Sequence, residues 1–227
     1  MTLDQAVEVP QRGGVQVSGD LNLPAGAIGL VVFAHGSGSS RHSPRNRMVA
    51  HGLQHLGLAT LLMDLLTPGE EQVDVRTRRL RFDIELLAER LAAATTWLSE
   101  QDATSHLPIG YFGASTGAAA ALAAGARDPS RVGAVVSRGG RPDLAGEHLG
   151  DVRAPTLLIV GSLDEVVIGL NRQAYGQLRC ERRLEVVPGA SHLFEEPGAL
   201  EEVVQLAGAW FSQHLGAHEG WPVEDAR

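Results

Sequence analysis

Residues 109–125, IGYFGASTGAAAALAAG, decide the fold. The first five are a short apolar run of strand type, and the last nine are alanine-rich and favour a helix. Between them stands one hydroxyl of interest, Ser115, flanked by Gly113, Ala114, Thr116 and Gly117. A chain that turns directly from strand into helix holds its turn residue in a strained backbone conformation, and only small neighbours let the turn close. The serine Oγ then stands above the sheet, and the first helix amides point to the same place. There the Thr116 N–H and the helix dipole can stabilise an oxyanion. A turn that merely packs a helix closely has the same composition, so the serine needs partners elsewhere in the chain.

Working outward, VQVSGDLNL (15–23) alternates apolar and polar residues like a half-buried strand, and the preceding VEVP can pair with it. This predicts an N-terminal antiparallel hairpin. Beyond it GLVVFA, LATLLMD, IGYFGA, VGAVVS, TLLIVG and RLEVVP are short runs, most of them apolar on both faces, as in a parallel sheet covered on both sides. Helix-like segments separate them at 47–56, 74–101, 116–127, 166–178 and 199–214. The longest carries Ile84, Leu87, Leu91, Ala94 and Leu98 at helical spacing. The alternation predicts a mostly parallel, doubly wound α/β sheet in one domain over 1–227. No insertion is long enough to form a lid domain.

The composition narrows the function classes. With 44% hydrophobic and 20% charged residues, the 227-residue chain has the balance of a globular domain. A net charge of -8 argues against nucleic acid as a partner, because phosphate binding needs a cationic surface. The single Cys180 forms no internal disulfide and sits in a polar connection as a bland thiol. The N-terminal MTLDQAVEVP lacks the features of a secretion signal, and no apolar run approaches the roughly 20 residues that span a bilayer. A cytoplasmic protein is expected.

In an open parallel sheet, ligands gather beyond the carboxyl ends of the strands. Ser115 lies there, in Gly113-x-Ser115-x-Gly117. After TLLIV comes Asp164, in GSLDE, and after RLEVVP comes His192, in GASHLF. A serine hydroxyl needs a histidine to take its proton, and the histidine needs an acid to fix its tautomer. The chain order serine, acid, histidine is that of α/β-hydrolases. Asp164 could instead only cap the following helix, and Glu165 is the neighbouring alternative acid. After GLVVFA, the loop His35-Gly36-Ser37-Gly38 is where a second oxyanion donor belongs, with the Ser37 N–H the candidate and His35 shaping the turn. Arg41 occupies the position where a dinucleotide fingerprint needs its third glycine, so a phosphate loop is not expected there.

With these loops in place the chain resembles the α/β-hydrolases, and among them the small, lidless dienelactone hydrolase-like branch. The motifs that carry the likeness are FAHGSGSS, YFGASTG, IVGSLDEVV and PGASHLF. The resemblance implies Ser115 as nucleophile, Asp164 as triad acid, His192 as general base, and amides near Ser37 and Thr116 as oxyanion hole. True dienelactone hydrolases have cysteine at the nucleophile position, so Ser115 points to a more general ester hydrolase. RHSPRNR and SRGGRPDLAG look like segments of a subgroup that occurs alone or fused to phosphoribosyltransferase domains.

Arg41, Arg45, Arg47, Arg138 and Arg141 fall in or near loops on the same side of the sheet. Arg41, Arg138 and Arg141 are candidates to bind an anionic part of a substrate. The plainer reading pairs them with nearby acids such as Asp64 or Asp143. Arg76, Arg78, Arg79 and Arg81, followed by Asp83, Glu85 and Glu89, suggest a salt-bridged helix face. His51 and His55 are four apart on a helix but lack the glutamate and further ligands of a metal site, so no metal or cofactor is expected. The expectation is a serine hydrolase of carboxylic esters, thioesters or lactones acting on a small molecule. Acyl transfer or perhydrolysis with the same triad, or a non-catalytic binding protein on the same fold, are the alternatives.

Overall fold

The computed structural model describes residues 3–216, and the ends of the domain expected over 1–227 lie outside them. Strands β1 (Leu3–Pro10) and β2 (Gln16–Leu23) form the antiparallel hairpin, with Leu3 opposite Leu23 and Pro10 opposite Gln16. The other strands are β3 (Leu30–Ala34), β4 (Ala59–Met63), β5 (Ile109–Ala114), β6 (Val132–Arg138), β7 (Thr156–Gly161) and β8 (Arg182–Val187). These six run parallel in one sheet of order β1-β2-β4-β3-β5-β6-β7-β8, joined to the hairpin by an antiparallel β2–β4 pairing. The switch in strand order lies at β3 and β5, whose following loops carry Ser37 and Ser115.

Alternate residues of the central strands enter two separate cores. Leu30, Val32 and Tyr111 pack on one face with α3 (Ile84–Ser99) and α4 (Thr116–Arg127). Val31, Phe33 and Phe112 pack on the other with α1 (Pro44–His55) and α6 (Ala199–Leu215). Each such side chain contributes about 1.5–3 kcal/mol relative to leaving it in water. Covering both faces explains why these strands are continuous apolar runs in the sequence. Edge strand β8 is half-exposed and charged, with Arg182, Arg183 and Glu185, which discourages pairing with another sheet.

The single helix expected over 74–101 is broken. Helix α2 (Pro68–Thr77) stops at Arg78 in the left-handed region, φ 54°, and a 3-10 turn (Leu80–Phe82) precedes α3, which Asp83 caps through Leu86 N–H at 3.1 Å. The cause is tertiary. Asp74 is buried and accepts bonds from the Arg81 main-chain N–H at 3.1 Å and from its Nε at 2.5 Å, which a continuous helix would not allow. The arginine run therefore marks a turn, not one helix face.

Burial works to raise the Asp74 pKa, but the bonds from Arg81 outweigh it and hold the carboxyl below the usual carboxylate range. A lowered folded pKa adds stability that is fully present above the ordinary value near 4 and is lost as pH falls through the folded value. Asp74→Asn is expected to lose about 1.5–3 kcal/mol at pH 7, as for a hydrogen bond to a charged group. Urea unfolding checks this, and the gap from wild type should shrink towards pH 3.

Two further elements differ from expectation. Helix α1 begins at Pro44, capped by Ser43, three residues before the predicted start. A 3-10 segment (Pro142–Asp151) between β6 and β7 buries Ala145 and Leu149 where no element was foreseen. Helix α5 (Glu165–Gln177) follows β7 and closes the set.

Candidate active site

Ser115 sits between the last residue of β5 and the first of α4, with φ 51° and ψ -119°. Holding a residue with a side chain there costs about 1–3 kcal/mol. The end of β6 over-determines the turn. Ser115 N–H donates to the Arg138 carbonyl at 3.2 Å, and the Ser115 carbonyl accepts from Ala118 N–H at 3.1 Å and Arg141 N–H at 3.0 Å. The small neighbours are sterically required. A Cβ on Gly117 would lie 2.2 Å from the Ala34 carbonyl oxygen, and one on Gly113 would lie 2.4 Å from Ala118 Cα.

Asp164 and His192 come together from the ends of β7 and β8. His192 Nδ1 lies 2.6 Å from Asp164 Oδ2. Asp164 occupies the N-cap position of α5 yet makes no capping bond, so its side chain serves the histidine and not the helix. Glu165, the alternative acid, is exposed at the first residue of that helix. A proton on Nδ1 donated to the carboxylate would leave Nε2 unprotonated. The two loops are tied together by Gly189 N–H on Ser162 Oγ at 2.8 Å and by Leu163 N–H on the Ala190 carbonyl at 3.0 Å. The His192 loop is further fixed by Ser191 N–H donating to Glu196 at 3.0 Å and by fully buried Phe194 at φ 57°.

One cleft of about 150 Å³ is shared by Ser115 and His192, together with Ser37, Asn46, Arg45 and Arg138. Asp164 stands behind the histidine, outside the lining. Ser37 Oγ and Thr116 Oγ1 share a hydrogen bond at 2.9 Å, fixing the two expected oxyanion-hole loops against each other. His35 is buried: its Nδ1 bonds the Gly36 carbonyl at 2.9 Å, and its Nε2 accepts from Leu65 N–H at 3.2 Å. Burial lowers its pKa, consistent with a neutral ring that shapes the turn. A larger surface groove of about 700 Å³, lined by Arg12, Trp97 and Arg127, lies along α3 and α4 away from these loops.

Two of the three arginines considered for a substrate anion follow the plainer reading and pair with Asp64 and Asp143. Arg41 bonds Asp64 through both main chain and guanidinium and approaches Asp20 at 3.6 Å. Arg141 grips Asp143 with two bonds of 2.8 and 2.7 Å, which raise its pKa. Neither lines the cleft: Asp64, just after β4, holds Arg41, and Asp143, in the same loop, holds Arg141. Arg138 does line it, as does Arg45. Asn46, also buried in the wall, went unnoticed in the sequence, where the start of α1 was placed after it. The rings of His51 and His55 meet at a tilt of 59°, with centroids 4.2 Å apart. Among the described residues no group of three or more His, Cys, Asp or Glu side chains gathers as metal ligands, and no helix is long and apolar enough to cross a membrane.

Comparison with known proteins agrees with this geometry. A family model described as alpha/beta hydrolase fold matches residues 29–149. A solved dienelactone hydrolase from Anabaena variabilis is 60% identical, with a TM-score of 0.91 over 94% of this chain and 98% of that one. The esterase domain of a Rhodothermus marinus protein shares the fold at 21% identity and a TM-score of 0.73, covering 94% of this chain and all of that one, 100%. A Mycobacterium tuberculosis (strain H37Rv) protein provisionally named a phosphoribosyl transferase is 59% identical over 221 residues, 94% of this chain and 49% of that protein. The chain thus spans about half the length of the curated relatives it matches. A family model covering more than half of the chain and a 60% identical relative matched almost end to end lead to one conclusion: the chain belongs to the alpha/beta hydrolase fold family, in its dienelactone hydrolase-like branch.

Proposed function

We propose that the chain is a serine hydrolase of carboxylic esters or thioesters, with Ser115 as nucleophile, His192 as general base and Asp164 as the acid that orients it. The observation that carries this reading is the 2.6 Å contact between His192 Nδ1 and Asp164, made behind a cleft that His192 shares with Ser115. His192 Nε2 takes the Ser115 proton as Oγ attacks the ester carbonyl. The Ser37 and Thr116 amides hold the resulting oxyanion, each such donor being worth about 2.7–4 kcal/mol in other hydrolases. Collapse of the tetrahedral species expels the alcohol, which leaves with the proton from His192. Water then gives a proton to His192 and attacks the acyl group, and Ser115 departs with that proton restored.

No cofactor enters these steps, and a small-molecule ester in the cytoplasm is the proposed substrate. The dienelactone hydrolase relative supports hydrolysis. The phosphoribosyl transferase name belongs to proteins about twice as long, and the serine, acid and histidine all lie within the chain described here. A fluorophosphonate probe tests the reading, with intact mass and turnover of p-nitrophenyl acetate as readouts. Stoichiometric labelling on Ser115 with turnover is expected. Folded protein that neither labels nor turns over would sink the proposal in favour of a binding role.

A further inference from the structure

The end of β6 delivers Arg138 into the wall of the cleft with only 6% of its surface exposed. Its guanidinium meets no carboxylate among the described residues. Nη1 lies 3.5 Å from the Leu193 carbonyl and Nη2 lies 3.4 Å from Asn46 Oδ1, both at the long limit for a bond, and Nε has no partner. The Phe194 ring lies beneath it, 5.6 Å to the centroid. The other deeply buried arginine, Arg90, is treated differently: it is paired with Glu70 at 2.5 Å. Burial, and after it the neighbouring Arg45, lower the Arg138 pKa to about 10, so the group remains a cation at neutral pH. A buried cation with no anion is unfavourable, and the fold keeps one beside the candidate nucleophile.

The surroundings repeat the same sign. Arg45 lines the cleft too, and its only ion pair among the described residues is to Glu195, an exposed partner that holds weakly. The N-terminus of α1 opens onto the cleft through Ser43, Arg45 and Asn46, so its dipole adds positive potential. Ser39 and Ser43 also line the cleft. Two guanidinium groups and a helix N-terminus exceed what one carboxylate would neutralise, and they match the charge and three acceptor oxygens of a phosphate monoester.

We propose that the cleft takes esters that also carry a phosphate monoester, held by Arg138, Arg45 and Asn46 while Ser115 attacks the acyl carbon. The proposal rests on the serine hydrolase reading. A neutral ester of the same shape leaves Arg138 buried and unpaired, and that penalty supplies the discrimination.

The test compares kcat/KM for 1-acetylglycerol 3-phosphate and 1-acetylglycerol, with monoethyl succinate against ethyl butanoate as the carboxylate pair. Wild type is expected to prefer the phosphorylated ester by about tenfold or more, and more strongly than it prefers the carboxylate. Arg138→Gln should bring the phosphate ratio close to one. Arg45→Gln, at a partly exposed position and so the safer variant for folding, should lower it several-fold. A ratio near one in protein whose Ser115 labels with fluorophosphonate overturns the phosphate site alone, as does a ratio that neither variant changes. A larger preference for the carboxylate pair also overturns it. Loss of both turnover and labelling overturns the hydrolase reading, and this proposal with it.

Discussion

Replacing Ser115 by alanine is expected to lower kcat/KM for p-nitrophenyl acetate by about four orders of magnitude or more and to abolish fluorophosphonate labelling. The reason lies in the turn. Alanine keeps the Cβ that the strained φ of 51° already accommodates, and the main-chain bonds to Arg138, Ala118 and Arg141 do not involve the hydroxyl. The variant therefore loses the nucleophile without losing the loop, and urea unfolding should show nearly wild-type stability. Ser115→Gly is an informative companion. It removes the Cβ that makes positive φ costly, so it should be inactive yet no less stable than Ser115→Ala. Turnover within tenfold of wild type in Ser115→Ala would remove Ser115 from the chemistry and leave the strain of its turn without a catalytic reason.

The parts legible in the sequence share a physical origin: they are encoded by local geometry. Strands β3 to β7 are covered on both faces and so show as unbroken apolar runs, and the loops at their ends could be located within a residue or two. The Ser115 turn was legible because Gly113 and Gly117 are forced by contacts with α4 and the β3 loop that any strand-to-helix turn of this kind makes. What was not legible depends on which side chain meets which across the fold. The break near Arg78 was hidden because residues 74–101 have helical propensity throughout, and the buried Asp74 to Arg81 contact overrides it. The arginines show the same limit. Arg41, Arg138 and Arg141 look alike in the sequence. The sequence suggested pairing with Asp64 or Asp143 for any of them, and only the fold shows that Arg41 and Arg141 take it while Arg138 is buried without an acid among the described residues.

Asp164→Asn is expected to lower kcat by about 10⁴ with little change in KM, whereas Glu165→Gln should leave turnover within a few-fold of wild type. Both residues follow β7 and are one position apart, so the pair separates orientation of His192 from mere negative charge at the start of α5. Asp164 makes no capping bond, and asparagine has the same shape, so helix stability gives no route to a large loss. The effect must run through the imidazole. A carboxylate facing Nδ1 keeps the proton there and leaves Nε2 free to accept from Ser115. The amide of asparagine can donate to Nδ1 instead, which moves the ring proton to Nε2 and removes the base from the cleft. Labelling by fluorophosphonate should slow by a similar factor, since it needs the same proton transfer. The reverse result, a large loss in Glu165→Gln and a small one in Asp164→Asn, would mean that the 2.6 Å contact is structural. The acid would then have to reach His192 from the exposed first turn of α5, where salt and water screen it.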